Sequence, residues 1–322
     1  MRNRNSRSTY VDLAQEPNPE ASATSTLPFR LHFYHELDDW QKDNHYIKSG
    51  YVRETSSLRK CLESLLYLHN ETVNIYSHLI PSSFLLAAVI WYINHRLPIY
   101  DNYLGVWEKL NFVQFGVACT LCLFMSSTFH CIKSHSHKVS RIGNQLDYFG
   151  IVILITCSLI SIILFAFYDQ PFYRGLFVLL FLTFGTACTV LTLHPKFATP
   201  LYRPYRSLMF ILFGLSGIFP VIAATKLYGF EPAAERANVT WLALEGFFYI
   251  FGAVLYAARI PERFSHTEED EQSLLNNPSA GRWDIFGASH QIFHVMVVIA
   301  AYCHWKALLG CYHYLHLVTL HA

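Results

Sequence analysis

Seven windows of roughly 20 residues carry almost no charge, and each is long enough as a helix to cross the hydrocarbon of a bilayer, about 30 Å thick. They fall at about 74–94, 110–132, 146–168, 172–193, 206–226, 239–258 and 288–316, with polar breaks between them. Inside lipid every backbone N–H and C=O must find a partner within the protein, so such a chain is expected to be an all-α membrane protein, a seven-transmembrane helix bundle. Composition agrees: 52% of the 322 residues are apolar, 15% are charged, and the mean hydropathy of +0.24 exceeds that of ordinary soluble domains. A net charge of +1 gives no basis for a polyanionic partner, so nucleic acid is not expected as one.

Three regions follow. Residues 1–27 are polar and lack the apolar core of a signal peptide, which predicts a disordered tail. Residues 28–72, rich in aromatics and mixed charge, read as a cytosolic segment and a candidate partner surface. Residues 73–322 form the membrane domain, with an acidic insertion, SHTEEDEQSLLNNPSA, expected to be a disordered loop over 265–280. Of the eight cysteines, Cys119, Cys122, Cys157 and Cys188 lie within apolar spans, which predicts free thiols that pack as small hydrophobes. The CxxC of Cys119 and Cys122 sits mid-span without a second pair, which favours packing over redox or zinc chemistry.

Orientation follows from Lys and Arg in the short loops. With the N-terminus cytosolic, the inner loops hold Lys133, Lys138, Arg141, Lys196, Arg203, Arg206, Arg259, Arg263 and Arg282, and the outer loops hold Arg96, Lys109, Arg174, Lys226 and Arg236. The excess on the first side predicts an N-terminus inside and a C-terminus outside. The sequon NVT at Asn238 then lies outside, as a glycosylation acceptor should, and the NET at Asn70 lies inside and unused.

In this topology the second span ends at FMSSTFHCI, the third begins at GNQLDYFGI and the seventh begins at SHQIFHV. His130, Asp147, His290 and His294 therefore enter the membrane at one depth, where ionisable groups mark function. His290 and His294 are four apart on one helical face and can ligate one ion, and Ser126 and His130 share that spacing. Three neutral imidazoles suit a tetrahedral Zn²⁺ with its fourth position open to water, which Asp147 can orient and deprotonate. A single intramembrane His more often bonds within its bundle, but four groups at one depth favour a metal. Haem is disfavoured, since it takes axial ligands from opposite sides.

The other histidines read differently. His135 and His137 are expected in a solvated basic turn, and His304, His313, His316 and His321 in an interfacial belt with Trp305, Tyr312 and Tyr314. Glu71, Asn74 and His78 stand at helical spacing at the start of the first span and are expected to bond neighbouring helices rather than a substrate. Gly214 and Gly217 are expected to allow close helix approach, and Pro220 to kink the fifth span and so help admit a lipid tail.

The blocks ELDDWQKDNHYIKSGYVR, HNETVNIYSHLIP, SSTFHC, LDYFGI, GLSGIFP and ARIPERF followed by FGASHQIFH, in this order, resemble the progestin and adiponectin receptor family, also called haemolysin III-related, in its adiponectin-receptor-like or fungal zinc-homeostasis branch. The resemblance spans about residues 30–320 and implies seven helices with a cytosolic N-terminus. It carries the family's zinc ligands to His130, His290 and His294, with Asp147 acting through water and Ser126 lining the site. Alkaline ceramidases are similar in that constellation, which implies a membrane lipid, most simply ceramide, as substrate or ligand. Two functions stay open: a zinc-dependent lipid amide hydrolase in lipid or zinc homeostasis, and a receptor with structural zinc and an extracellular ligand. Zinc transport is less supported, because the polar groups form one cluster rather than a path. A multi-pass protein of the plasma membrane or an endomembrane is expected.

Overall fold

A computed structural model of the protein describes residues 30–97, 105–197, 199–265 and 281–321; the polar tail and nearly all of the acidic insertion lie outside the described residues. Before the membrane domain, a stretch with short 3-10 turns and a single antiparallel bridge between His32 and Tyr51 leads into α1 (Leu58–Glu63). The membrane helices are α2 (Thr72–His95), α3 (Val106–Ile132), α4 (His137–Ala166), α5 (Pro171–Leu193), the pair α6 (Arg203–Leu215) and α7 (Ile218–Tyr228), α9 (Val239–Ala258) and α10 (Ser289–His321), with the short α8 (Phe230–Arg236) between the fifth and sixth spans. Among the described residues these give seven helical spans long and apolar enough to cross a membrane.

Local chemistry sets several boundaries. Pro171 opens α5 at a first-turn position, where its missing N–H costs nothing. Helix α4 starts at His137, nine residues before the expected span, because HKVSRIGNQ continues the helix beyond its apolar part. His137 is thus helical, with its ring stacked on Trp40 at 5.6 Å, and only His135 lies in the turn. The fifth span breaks at Ser216 and Gly217. Pro220, one turn later, can neither bond to nor avoid the carbonyl of Ser216, so the kink comes four residues before the proline.

Helices α3, α4 and α10 are the most buried spans. α3 packs between α2 and α4, and α10 packs against α9, α2 and α4. The α3–α4 approach is close: a Cβ on Gly150 would stand 3.0 Å from the Cα of Cys122, so the buried cysteines of the CxxC serve packing. All eight cysteines are free. Gly217 lies against Leu159 of α4, but a Cβ on Gly214 would meet no atom within 4 Å, so Gly214 borders open space rather than a helix contact. Asn238 also departs from expectation: its amide donates to the Lys306 carbonyl at 3.3 Å and its side chain fills the space over Gly310, so the acceptor nitrogen of that sequon is engaged with α10.

Two of the four histidines expected at the interface are core residues instead. His304 and His316 are 1% and 3% exposed, and Tyr312 beside them is fully buried. His304 bonds Glu245, and His316 lies 3.1 Å from Glu108. Acidic partners on α9 and α3, invisible to local spacing, draw both imidazoles inward.

The tight α9–α10 seam gives a test. A Cβ on Gly252 would stand 3.0 Å from both Met296 and Phe293, whereas one on Gly246 of the same helix meets nothing within 4 Å. Gly252→Leu is expected to destabilise the protein by about 1–3 kcal/mol, and Gly246→Leu by much less, read as thermal midpoints of the detergent-solubilised protein.

Candidate metal centre

The end of α3 and the start of α10 bring three imidazoles together. The Nε2 atoms of His130 and His290 are 3.2 Å apart and those of His290 and His294 3.1 Å, and the three residues form a group that could hold a metal ion. A tetrahedral zinc with bonds of about 2.0–2.1 Å requires ligand atoms separated by about 3.3 Å, close to what these rings present.

The other ring nitrogens decide whether those Nε2 atoms are free to ligate. His130 Nδ1 donates to Glu71 Oε2 at 2.7 Å, and His294 Nδ1 donates to the Asn74 carbonyl at 3.0 Å. A carboxylate and a carbonyl can only accept, so both Nδ1 atoms carry the proton and both Nε2 atoms present lone pairs. A proton on His290 Nε2 can serve only one of these two lone pairs, whereas a cation between the three rings serves all of the Nε2 atoms at once. The donor set therefore fits a divalent metal that accepts imidazole nitrogen.

Helix α2 supplies this scaffold. Glu71 also receives Lys133 Nζ at 2.6 Å and Asn74 Nδ2 at 2.6 Å. It stands one residue before the first span; burial alone would raise its carboxyl, but Lys133 and His130 hold it well below the usual carboxylate range. His78 donates from Nε2 to the His294 carbonyl at 3.1 Å and stacks on the His294 ring at 3.9 Å, fixing its plane. The expectation that Glu71 and these α2 residues bond neighbouring helices holds, and the groups Glu71, Asn74 and His78 bond include two of the clustered histidines. The start of α10 is fixed by Glu262, which accepts the Ser289 amide at 2.7 Å and hydroxyl at 2.5 Å and also receives Asn44 of the N-terminal segment. Gln291 ties the same turn to the Asn70 carbonyl at 3.1 Å. Spacing alone did not single out Glu262 or Gln291; the only signal was their place in the ARIPERF and SHQIFH blocks.

Asp147, 8% exposed, enters from α4 on the side of Ser126, which lies one turn before His130 on α3 and is also buried. The histidines, Asp147 and Ser126 all line one cavity of about 1020 Å³, whose walls beyond this end come mainly from α4, the α6–α7 break and α9. Its wall is thin beside that break: Leu215, Ile218 and Phe247 line it and are each about half exposed.

Residues 66–305 match the haemolysin-III-related family. The chain belongs to it. Among progestin and adiponectin receptor relatives, the chain is 39% identical over 302 residues to the ADIPOR-like receptor IZH2 of Saccharomyces cerevisiae, covering 93% of this chain and 90% of that one. It is 33% identical over 275 residues to the adiponectin receptor protein of Drosophila melanogaster, covering 85% and 58%. At 28% identity over 354 residues, heptahelical transmembrane protein 4 of Arabidopsis thaliana covers 87% and 88%. The expected fold class, a multi-pass seven-helix membrane protein, agrees with these relatives and with the seven spans.

If Glu71 holds His130 in its ligating tautomer, Glu71→Ala should weaken metal binding about 10–100-fold while leaving the fold intact. Chelator competition with zinc quantified on the purified variant checks this.

Proposed function

We propose that the protein is a zinc-dependent hydrolase of membrane lipid amides, ceramide being the expected substrate, with its N-terminus and its metal end at the cytosolic leaflet. The observation that carries this reading is the convergence of three imidazole Nε2 atoms beside the buried Asp147 and Ser126, at one end of a lipid-sized, mainly apolar cavity. His130, His290 and His294 are the residues that would hold Zn²⁺. When bound, Zn²⁺ supplies a Lewis acid for the amide carbonyl and lowers the pKa of water.

The chain's own residues have the following roles in this reading. Asp147 takes a proton from the attacking water and delivers it to the leaving amine. Ser126 orients that carboxylate and can turn its hydroxyl toward the oxyanion. The thin wall beside the α6–α7 break lets acyl chains enter from the bilayer, so the scissile amide stays at the polar end while the chains occupy the apolar length. The orientation rests on loop charge: Arg206 and Arg236 are buried, one on each side of the count, so removing both leaves the excess on the cytosolic side unchanged.

A second reading, a receptor in which zinc is structural, draws on the same hydrogen bonds, because a metal held by α3 and α10 with α2 behind them would lock three helices together. The relatives named receptors favour it by name. One assay separates the two. Purified protein with zinc quantified is given ceramide, and sphingosine release is compared for wild type, Asp147→Ala and His294→Ala. The hydrolase reading expects Asp147→Ala to keep its zinc and lose activity by about 100-fold or more, and His294→Ala to lose both. A zinc-loaded wild type that cleaves neither ceramide nor any related lipid amide gives the site to the structural-zinc receptor.

A further inference from the structure

A second polar group lines the same cavity, deep in the bundle. His304 of α10 bonds Glu245 Oε2 of α9 at 2.9 Å and Ser161 Oγ of α4 at 2.9 Å. Ser161 already donates its hydroxyl proton to the Ser158 carbonyl at 2.7 Å, so it accepts from His304 Nε2–H. With one further proton shared between His304 Nδ1 and Glu245, the pair is neutral as a whole. That arrangement alone is a tie between three helices.

Two hydroxyls, each one turn from the tie on the side of the metal end, are not part of it. Ser158, 6% exposed, and Tyr249, one turn from Glu245 on α9, both line the cavity, and neither hydroxyl has a hydrogen-bond partner. A buried hydroxyl without a partner is costly in an apolar surround and marks a place where something else completes the bond. Helix rise gives their depth. From Asp147 to Ser158 along α4 is about 16 Å, and from Tyr256, whose ring touches His290, to Tyr249 along α9 is about 10 Å.

We infer that this belt is a second recognition point for the lipid in the cavity, and that it reads a hydroxyl carried partway along the acyl chain. Two hydroxyls that both donate and accept, beside a charge-neutral Glu245–His304 pair, suit a neutral group that also does both. A carboxylate would face Glu245, and a plain methylene chain would leave Ser158 and Tyr249 unpaired. The inference rests on the cavity holding a lipid, as in the proposed function, but not on turnover. It gives the substrate class a further mark: a long acyl chain with a hydroxyl well away from its head.

Equilibrium binding to the full-length protein in detergent tests it, with three probes: octadecanoic acid, 2-hydroxyoctadecanoic acid and 12-hydroxyoctadecanoic acid. Wild type should bind the mid-chain hydroxy acid about tenfold more tightly than the other two. Ser158→Ala combined with Tyr249→Phe should abolish that preference without lowering the thermal midpoint, since neither hydroxyl holds a protein group. Equal binding of the three probes by wild type overturns the inference, leaving the belt as a helix tie or a water site, and so does a preference that survives the double variant. Failure of all three to bind overturns it together with the lipid reading. Absent hydrolysis with the preference intact would remove only the hydrolase.

Discussion

Two hydrogen bonds from the far side of the imidazoles govern the rest of the site. His130 and His294 each give the Nδ1 proton to α2, one to the Glu71 carboxylate and one to the Asn74 carbonyl. Once those protons are committed, the Nε2 lone pairs of helices α3 and α10 have one direction left, toward each other and toward His290. The ligating geometry is thus a consequence of how α2 lies between its neighbours, and Lys133 keeps the Glu71 acceptor charged.

The polar groups along the cavity differ in kind from one end to the middle. At the metal end Glu262 caps the first turn of α10 and Asn44 reaches it from the N-terminal segment, while His69 Nε2, Asn74 Oδ1 and His78 Nδ1 have no protein hydrogen-bond partner. Deeper in the bundle, the hydroxyls of Ser158 and Tyr249 have no protein hydrogen-bond partner and share the wall with the paired Glu245 and His304. Clustered imidazoles at one end and unpartnered hydroxyls in the middle would suit the proposed site, which holds a head group at one point and reads a chain at another.

Much of this was legible in the sequence, for identifiable reasons. Hydropathy locates the seven spans because lipid exclusion acts on each segment independently, and the i, i+4 spacing of His290 and His294 is a property of one helix. The common depth of His130 followed from topology. What spacing could not show depends on contacts between distant segments. Glu71 meets His130 across 59 positions, and Glu245 meets His304 across 59. Without those partners His304 looks like a residue of the membrane interface. The polar start of α4 was missed because hydropathy reports where a helix is apolar, not where it begins. Asn238 looked accessible because a sequon says nothing about a glycine on the helix opposite.

The most direct test of the account is the zinc K-edge X-ray absorption spectrum of the purified wild-type protein. Ligation by His130, His290 and His294 predicts three imidazole nitrogens and one further light atom at about 2.0–2.1 Å in a four-coordinate shell, reduced by one imidazole in His294→Ala. Sulfur at about 2.3 Å, or a shell unchanged in that variant, would place the metal elsewhere and contradict the assignment.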